Sequence, residues 1–224
     1  MIERAKTMKF APGALVFPGG KVDRSDGQNW RWQGITTGRG AHRDIAFRVA
    51  ALRELYEEAG VLQLDRAPTR PLPTRMAFSE LILRSRAKLD TEGILPFAHW
   101  VTPEPMPRRF DTHFYLAPHG GGEVRHDGNE AISFCWVNPR NILQNWARDK
   151  VPLMFPTRLN LMKLARASTV AQALRQARQA AVVRTMPVIN MHAGGVDLTI
   201  EKAAGYGVTA ATAKEVAVEA GKLA

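Results

Sequence analysis

The chain has 224 residues, of which 45% are hydrophobic and 23% are charged, and its formal charge is +10 at pH 7. This composition is typical of globular proteins and excludes disorder throughout, and no run of 18 apolar residues could form a transmembrane helix. The single cysteine, Cys135, excludes an intrachain disulfide, so we expect a cytoplasmic protein. The excess of Lys and Arg favours an anionic partner without identifying it.

The N-terminal half is predicted to contain one strand and one long helix. Residues 14–17 form an apolar run that stops at the Pro-Gly-Gly of residues 18–20, which indicates a strand entering a tight loop. Residues 25–44 are polar and rich in glycine, which predicts an exposed loop. Residues 45–59 carry apolar side chains at three- and four-residue spacing and predict a helix, with Asp44 as its N-cap.

The second half alternates between short strands and helices. Alternating or apolar runs predict strands, and cap residues followed by helical spacing predict helices. The predicted strands are 97–102, 110–117, 131–137, 188–189 and 196–200, and the predicted helices begin at 139 and cover 158–166 and 169–183. Cys135 lies in one of these apolar runs, and we expect it to be a buried thiol.

Three glutamates are clustered at the end of the long predicted helix. Glu54, Glu57 and Glu58 have the spacing i, i+3, i+4, which places their side chains on one helix face. Their mutual repulsion needs an offsetting charge, and hard cations such as Mg²⁺ prefer oxygen ligands of this kind. Arg53 is adjacent and could orient the cluster. By spacing alone, a solvated acidic helix face, which is very common, is the favoured interpretation.

The surrounding residues resemble a known motif. Residues 53–61 read R-E-L-Y-E-E-A-G-V, which matches the helical half of the Nudix box, R-E-U-x-E-E-x-G-U with U aliphatic. Residues 17–23, F-P-G-G-K-V-D, resemble the glycine loop that precedes that helix. The chain therefore resembles a Nudix hydrolase.

The box departs from the family pattern because it contains an insertion. The family spacing expects a glutamate after the five residues that follow Gly20, and the residue at that place is Asp26. It then expects seven residues before the arginine, yet 26 residues separate Asp26 from Arg53. The Nudix box thus spans residues 20–61 and includes an inserted loop at 27–45. A loop insertion costs little closure entropy. The first acidic position is Asp23 or Asp26.

This split box, with the Arg-Arg-Phe of residues 108–110, resembles the Nudix branch that contains peroxisomal coenzyme A diphosphatases and bacterial relatives. The resemblance implies an α/β/α sandwich with a mixed sheet and extra C-terminal helices. It implies one domain over residues 1–206, with a helical addition at 157–183 and a tail at 207–224. Family members have a strand before the glycine loop, and residues 1–4 resemble only its end, so we expect part of that strand to be missing.

The resemblance also implies functional residues. It implies Mg²⁺- or Mn²⁺-dependent hydrolysis of a nucleoside diphosphate linked to another moiety, here coenzyme A or acyl-coenzyme A. Glu130 precedes a strand ending in Trp-Val and is a candidate general base, with an ordinary loop carboxylate as the equal alternative. The implied metal ligands are Gly20, Glu54, Glu57 and Glu58, and the implied catalytic residues are Arg53, Glu57, Glu58 and Glu130. Arginine suits bidentate phosphate contacts, so Arg108 and Arg109 are candidate substrate contacts, with a salt bridge to Asp111 or another acid as the alternative. His113 is the histidine that we expect to face the substrate.

Two other functions remain open at this point. One is hydrolysis of ADP-ribose, NADH or a nucleotide sugar, which an aromatic clamp from Trp30, Trp32 or Phe78 would favour over an acyl chain. The other is a non-catalytic ligand- or RNA-binding domain, against which the intact acidic helix argues. We expect a small anionic diphosphate substrate as the partner, without a membrane or a nucleic acid, and leave a homodimer open.

Overall fold

The computed structural model divides the chain into two compact units. Unit 1 comprises Met1–Phe17, Pro96–Leu116 and Gly128–Ala224, and unit 2 comprises Pro18–Leu95 and Ala117–Asp127. The predicted limits of the domain and tail, 1–206 and 207–224, stay predictions. The residues that the structure describes are 1–5, 7, 12–38, 42–73, 76–121, 123–126, 128, 131–148 and 150–216.

Short strands and helices alternate along the chain. In order they are β1 Ile2–Arg4, β2 Leu15–Val16, α1 Asn29–Trp32, α2 His42–Ala59, α3 Phe78–Ser85, β3 Leu95–Val101, β4 Asp111–Leu116, β5 Ala131–Phe134, α4 Pro139–Ala147, α5 Phe155–Leu164, α6 Val170–Gln179, β6 Arg184–Thr185, β7 Val188–His192, β8 Gly195–Thr199, a 3₁₀ turn Lys202–Ala204 and β9 Ala210–Ala211. None of the helices in these described segments combines the length and apolarity that a membrane span needs.

Unit 1 carries the strand pairing. Its sheets, within the described residues, have the strand orders β2-β1-β5, β4-β3-β6 and β7-β8-β9. β1 pairs antiparallel with both β2 and β5, and β8 pairs antiparallel with β7 and β9. β3 pairs with β6 in parallel. The chain therefore combines helices with parallel and antiparallel pairing, in agreement with the predicted α/β class.

A buried polar cluster links distant segments within unit 1. The Trp100 indole N–H donates to the Tyr206 hydroxyl at 2.8 Å, and that hydroxyl donates to Asn160 Oδ1 at 3.0 Å. All three side chains are buried, and burial raises the pKa of Tyr206 to about 12, although the Trp100 hydrogen bond opposes that shift. These hydrogen bonds link β3, α5 and the segment that follows the 3₁₀ turn.

Unit 2 is organised round α2. Its predicted apolar stripe is confirmed, because Ile45, Val49 and Leu52 are buried. The helix begins at His42, so Asp44 lies in its first turn and the prediction of Asp44 as N-cap is wrong. An acidic side chain in the first turn is still favourable to the helix dipole. Gly60 ends the helix with a φ of 68°, and its N–H donates to Tyr56 O at 2.8 Å.

Two further features differ from what the sequence indicated. Helix α3 was not predicted from the sequence. Cys135 is exposed and follows the last residue of β5, so it is not a core thiol. The run from 131 to 137 is apolar, yet Phe134 and Trp136 are exposed, which shows that apolarity alone did not determine burial at this strand.

Candidate active site

The guanidinium of Arg53 connects the glycine-rich loop to the acidic face of α2. Its Nε and Nη2 donate to the two carboxylate oxygens of Asp26 at 3.0 and 2.9 Å, and Nη2 also donates to Lys21 O at 2.9 Å. Its Nη1 donates to Glu54 Oε1 at 2.9 Å and to Glu57 Oε2 at 2.8 Å. One buried side chain thus positions two of the clustered glutamates relative to the loop.

The structure distinguishes the two acidic candidates in the loop. The Asp26 side chain is fully buried and faces Arg53 in a bidentate contact, whereas the Asp23 side chain is 64% exposed and its carboxylate lies 3.8 Å from Arg53. The backbone N–H of Asp23 donates to Asp26 Oδ2 at 2.8 Å, so Asp23 supports Asp26 through its backbone. Asp26 therefore occupies the position that the sequence had left open.

Arg53 remains charged in this setting. Burial disfavours its cationic form, but the hydrogen bond and the charge of Asp26, followed by those of Glu54, hold the Arg53 pKa above its usual value. This cation contacts Glu54 and Glu57 and so offsets part of the repulsion among the three glutamates of α2. Arg53 can therefore stabilise the acidic face of α2 although it is itself buried.

The glycine loop approaches α2 closely. The Gly19 N–H donates to Glu58 Oε2 at 2.7 Å, and Glu58 is buried. A Cβ atom placed on Gly20 would lie 2.5 Å from both carboxylate oxygens of Glu54, so only glycine leaves room for this side chain. The loop thus holds one glutamate by a hydrogen bond and accommodates another by its lack of a side chain.

The oxygen atoms gathered here fit a hard divalent cation in their chemistry. Their present spacing is wider than a closed site, since Glu54, Glu57 and Glu58 do not place one oxygen each within 4.8 Å of one another. Glu54 and Glu57 contact Arg53, whereas Glu58 contacts Gly19. The Glu57 side chain is 48% exposed and its carboxylate is held by Arg53 at 2.8 Å.

The chain is similar in sequence or in fold to several known proteins. Putative nudix hydrolase 7 of Caenorhabditis elegans is 28% identical over 74% of this chain and 55% of its own length. Acyl-coenzyme A diphosphatase NUDT19 of Gallus gallus is 25% identical over 75% of this chain and 61% of its own length. A solved NUDIX hydrolase from Alicyclobacillus acidocaldarius has a TM-score of 0.63 and 29% identity, covering 81% of this chain and 88% of that chain.

The chain is similar to Nudix hydrolases in both sequence and fold. This confirms the resemblance inferred from the box, and the similarity to the solved structure confirms the predicted Nudix fold. No family model matches the chain. The chain spans between half and two thirds of the length of the first two relatives named above.

The Nudix substrate contacts predicted from sequence lie in unit 1. β4 begins at Asp111, so Arg108 and Arg109 lie in the connection before the strand, and both are exposed. Arg109 Nε donates to Thr102 O at 3.2 Å. Glu130, the candidate general base, lies outside the described residues. The roles of these three residues stay predictions.

His113 lies in a group that sequence reasoning did not assemble. Its Nε2 lies 3.5 Å from Asp111 Oδ1, and His99 Nε2 lies 2.6 Å from the same oxygen. Burial alone would raise the Asp111 pKa, but the hydrogen bond and charge of His99, with the charges of His113 and Arg184, lower it. The spacing of Asp111 and His113 on one strand face was visible in the sequence, whereas their approach to His99 was not.

The aromatic residues considered as a base clamp are part of the packing of unit 2. Trp32 and Phe78 are buried, and their ring centroids are 6.0 Å apart. Phe78 also packs against Tyr56 at 5.9 Å. The Trp30 side chain lies outside the described part of the structure. Trp32 and Phe78 therefore stabilise the contact between α1, α2 and α3 and present no free ring face for a ligand.

A cationic cavity in unit 2 was also not predicted from sequence. It has a volume of about 290 Å³ and is lined by Thr69, Arg70, Pro71, Leu72, Leu83, Arg84 and Arg86. Its three arginines come from the 69–72 segment and from the end of α3, and none of the lining residues is acidic. The density of arginine in residues 66–88 was visible in the sequence, but only the fold brings these side chains round one cavity.

Proposed function

We propose that this chain is a Mg²⁺- or Mn²⁺-dependent Nudix diphosphatase that hydrolyses a nucleoside diphosphate linked to another moiety, with coenzyme A or acyl-coenzyme A as its substrate. The observation that carries the proposal is the Arg53 network, which holds Glu54 and Glu57 against the glycine loop. A solvated acidic helix face would not need a buried arginine with five hydrogen bonds. The network is what a preorganised metal-binding face requires.

The residues of the Nudix box have different proposed roles in metal binding and catalysis. A divalent ion bound by Gly20 O, Glu54, Glu57 and Glu58 would neutralise the diphosphate and lower the pKa of a water molecule. Arg53 orients Glu54 and Glu57, and the Gly19 N–H orients Glu58. In the reaction the water oxygen forms a bond to phosphorus and the anhydride P–O bond breaks. The water proton passes to a carboxylate, for which Glu57, Glu58 and Glu130 are the candidates.

The substrate proposal rests on the split box and on the names of relatives. Two proteins similar to this chain are named acyl-coenzyme A diphosphatase, from chicken and human, at 25% identity. The +10 charge of the chain favours capture of an anionic substrate. Arg108 and Arg109 are exposed guanidinium groups suited to bidentate phosphate contacts.

Hydrolysis of ADP-ribose, NADH or a nucleotide sugar is the second candidate function. It receives no support from Trp32 or Phe78, which are buried and packed on one another. A non-catalytic ligand- or RNA-binding domain is the third candidate. Such a domain would not need the buried Arg53 network with its carboxylate partners, which argues against it. A cytoplasmic location is part of the proposal, since one cysteine suits a reducing compartment.

Product analysis with a substrate panel tests the proposal. The full chain is incubated with Mg²⁺ and coenzyme A, an acyl-coenzyme A, ADP-ribose, NADH or UDP-glucose, beside a Glu57→Gln, Glu58→Gln double variant. We expect cleavage of the coenzyme A compounds to phosphopantetheine derivatives and adenosine 3′,5′-bisphosphate, lost in the variant. Preferred cleavage of ADP-ribose, NADH or UDP-glucose would establish the second function. Mg²⁺ binding without any cleavage would overturn the enzymatic proposal.

A further inference from the structure

A second group of metal-binding side chain types lies in unit 1 and belongs to β3 and β4. His99, Asp111 and His113 each place one ligand atom so that all three atoms lie within 4.8 Å of one another. Both imidazole Nε2 atoms are directed to the same oxygen, Asp111 Oδ1, at 2.6 and 3.5 Å. Among the described residues this is the group that meets this spacing.

Strand pairing produces the convergence. β3 and β4 are neighbours in one sheet, and the Thr102 N–H donates to Phe110 O at 2.9 Å where the two strands separate. Because side chains alternate along a strand, Asp111 and His113 lie on one face of β4. The His99 and His113 rings stack across the pair with centroids 4.0 Å apart and an interplanar angle of 21°. Regular strands hold such side chains more exactly than loops do.

The donor set differs in chemistry from the carboxylate cluster of the Nudix box. Two imidazole nitrogens and one carboxylate oxygen suit Zn²⁺, Fe²⁺ and similar transition metals, whereas Mg²⁺ prefers oxygen ligands alone. We propose that His99, Asp111 and His113 form a transition-metal site of the Zn²⁺ class, separate from the box glutamates. The site assigns His113 a metal contact in place of the substrate contact predicted from sequence.

The present distances are compatible with an inserted ion. Ligand bonds of about 2.0–2.2 Å round a tetrahedral ion separate ligand atoms by roughly 3.3 Å. The His113–Asp111 separation of 3.5 Å is already close to that value, whereas the His99–Asp111 contact of 2.6 Å must open. The stacked rings must also rotate, because each imidazole lone pair lies in its ring plane and nearly parallel planes do not meet at one ion. Asp111 is half-exposed, which allows its carboxylate to shift and leaves a coordination position open to water.

Arg184 is a positive charge near the proposed site and is expected to weaken metal binding. Arg184 lies opposite His99 in the β3–β6 register, and its charge contributes to the lowered pKa of Asp111. The positive charge of Arg184 would therefore repel a dication bound at this carboxylate. Neutralising this arginine, as in Arg184→Gln, is expected to strengthen metal binding several-fold.

Co²⁺ binding to the full chain tests the proposal. Co²⁺ is added in the presence of excess Mg²⁺, which occupies carboxylate sites but binds imidazole weakly. We expect one equivalent of Co²⁺ to bind with a visible ligand-field band, and equimolar Zn²⁺ to remove the band. His99→Gln and His113→Gln are each expected to weaken binding by about 100-fold, since loss of a direct ligand costs at least as much as loss of its supporting partner.

A matched control separates the site from ordinary His–Asp pairs. His192 Nε2 lies 3.3 Å from Asp197 Oδ1 on β7 and β8, and within the described chain it is not part of a three-ligand group. His192→Gln should bind Co²⁺ as the unaltered chain does, and so should the Glu57→Gln, Glu58→Gln variant. Circular dichroism without metal confirms that each variant is folded. Absence of the band in the unaltered chain, or equal loss in His192→Gln, would overturn the proposal.

Discussion

The acidic face of α2 and the imidazole group of β3 and β4 are assembled in different ways. Glu54, Glu57 and Glu58 lie within five residues of one helix, and helical spacing alone puts them on one face. His99 reaches Asp111 and His113 only because two strands pair in a particular register. The first cluster can be predicted from local sequence, whereas the second depends on tertiary contacts.

The acidic face of α2 also depends on tertiary contacts, because the arginine that supports it binds a distant residue. Arg53 is adjacent to Glu54 in sequence, but its strongest partner, Asp26, is 27 residues away. Local spacing therefore explains which carboxylates share a face, and a long-range ion pair explains why they can stay there. The following predictions test how much each cluster depends on local and distant contacts, from the largest expected effect to the smallest.

Loss of two box carboxylates should have the largest effect. The Glu57→Gln, Glu58→Gln variant is expected to lower Mg²⁺-dependent kcat by at least about 10³-fold, because both charge stabilisation and proton transfer depend on these groups. Steady-state kinetics on the best substrate of the panel measures it. Glu80→Gln, on the exposed side of α3, is the control and should keep full activity. An equal loss in both variants would mean that net charge, and not the site, governs the rate.

Removing the buried partner of Arg53 should mainly affect stability. Asp26→Ala leaves a buried guanidinium without its bidentate carboxylate, and we expect unfolding free energy to fall by about 3–5 kcal/mol. Asp23→Ala should change it by no more than about 0.5 kcal/mol, because that side chain is exposed. Urea denaturation compares the two. Similar losses in both variants would contradict the assignment of Asp26 to the acidic position.

A methyl group at the glycine loop should disturb one carboxylate. In Gly20→Ala the new Cβ would overlap the Glu54 carboxylate, so Glu54 must move and kcat should fall by about 10- to 100-fold. Gly120→Ala is a matched control in unit 2, since a Cβ there has no neighbour within 4 Å. Its activity should be unchanged. An active Gly20→Ala enzyme would show that the position of Glu54 is not critical.

The smallest effect concerns the buried tyrosine of unit 1. Because the Tyr206 pKa is raised to about 12 from its usual 10.0, its contribution to stability is complete below pH 10 and is lost between pH 10 and 12. Absorbance at 295 nm should show one tyrosine ionising near pH 12, and Tyr206→Phe should remove that step. Tyr115→Phe, which changes a half-buried tyrosine of β4, should retain it.

Prediction from sequence succeeded where structure is local. The α2 stripe of Ile45, Val49 and Leu52 is buried as expected, and Asn138 caps α4 by accepting hydrogen bonds from the backbone. It failed where burial depends on neighbours, since Cys135 is exposed despite its apolar surroundings in sequence. The spacing of apolar residues predicts which face of a helix or strand is buried, but it does not predict which segment packs on that face.

The sequence by itself determined the acidic helix face, the glycine loop that precedes it and the resemblance of both to the Nudix box. These features depend on backbone periodicity and on the special conformations of glycine, which act over a few residues. The tertiary structure decided between Asp23 and Asp26 as the acidic residue of the loop. It also packed Phe78 against both Trp32 and Tyr56, and it brought His99 close to Asp111 and His113. These outcomes depend on which distant segments meet, and a 19-residue insertion or a strand register leaves no local signal of that choice.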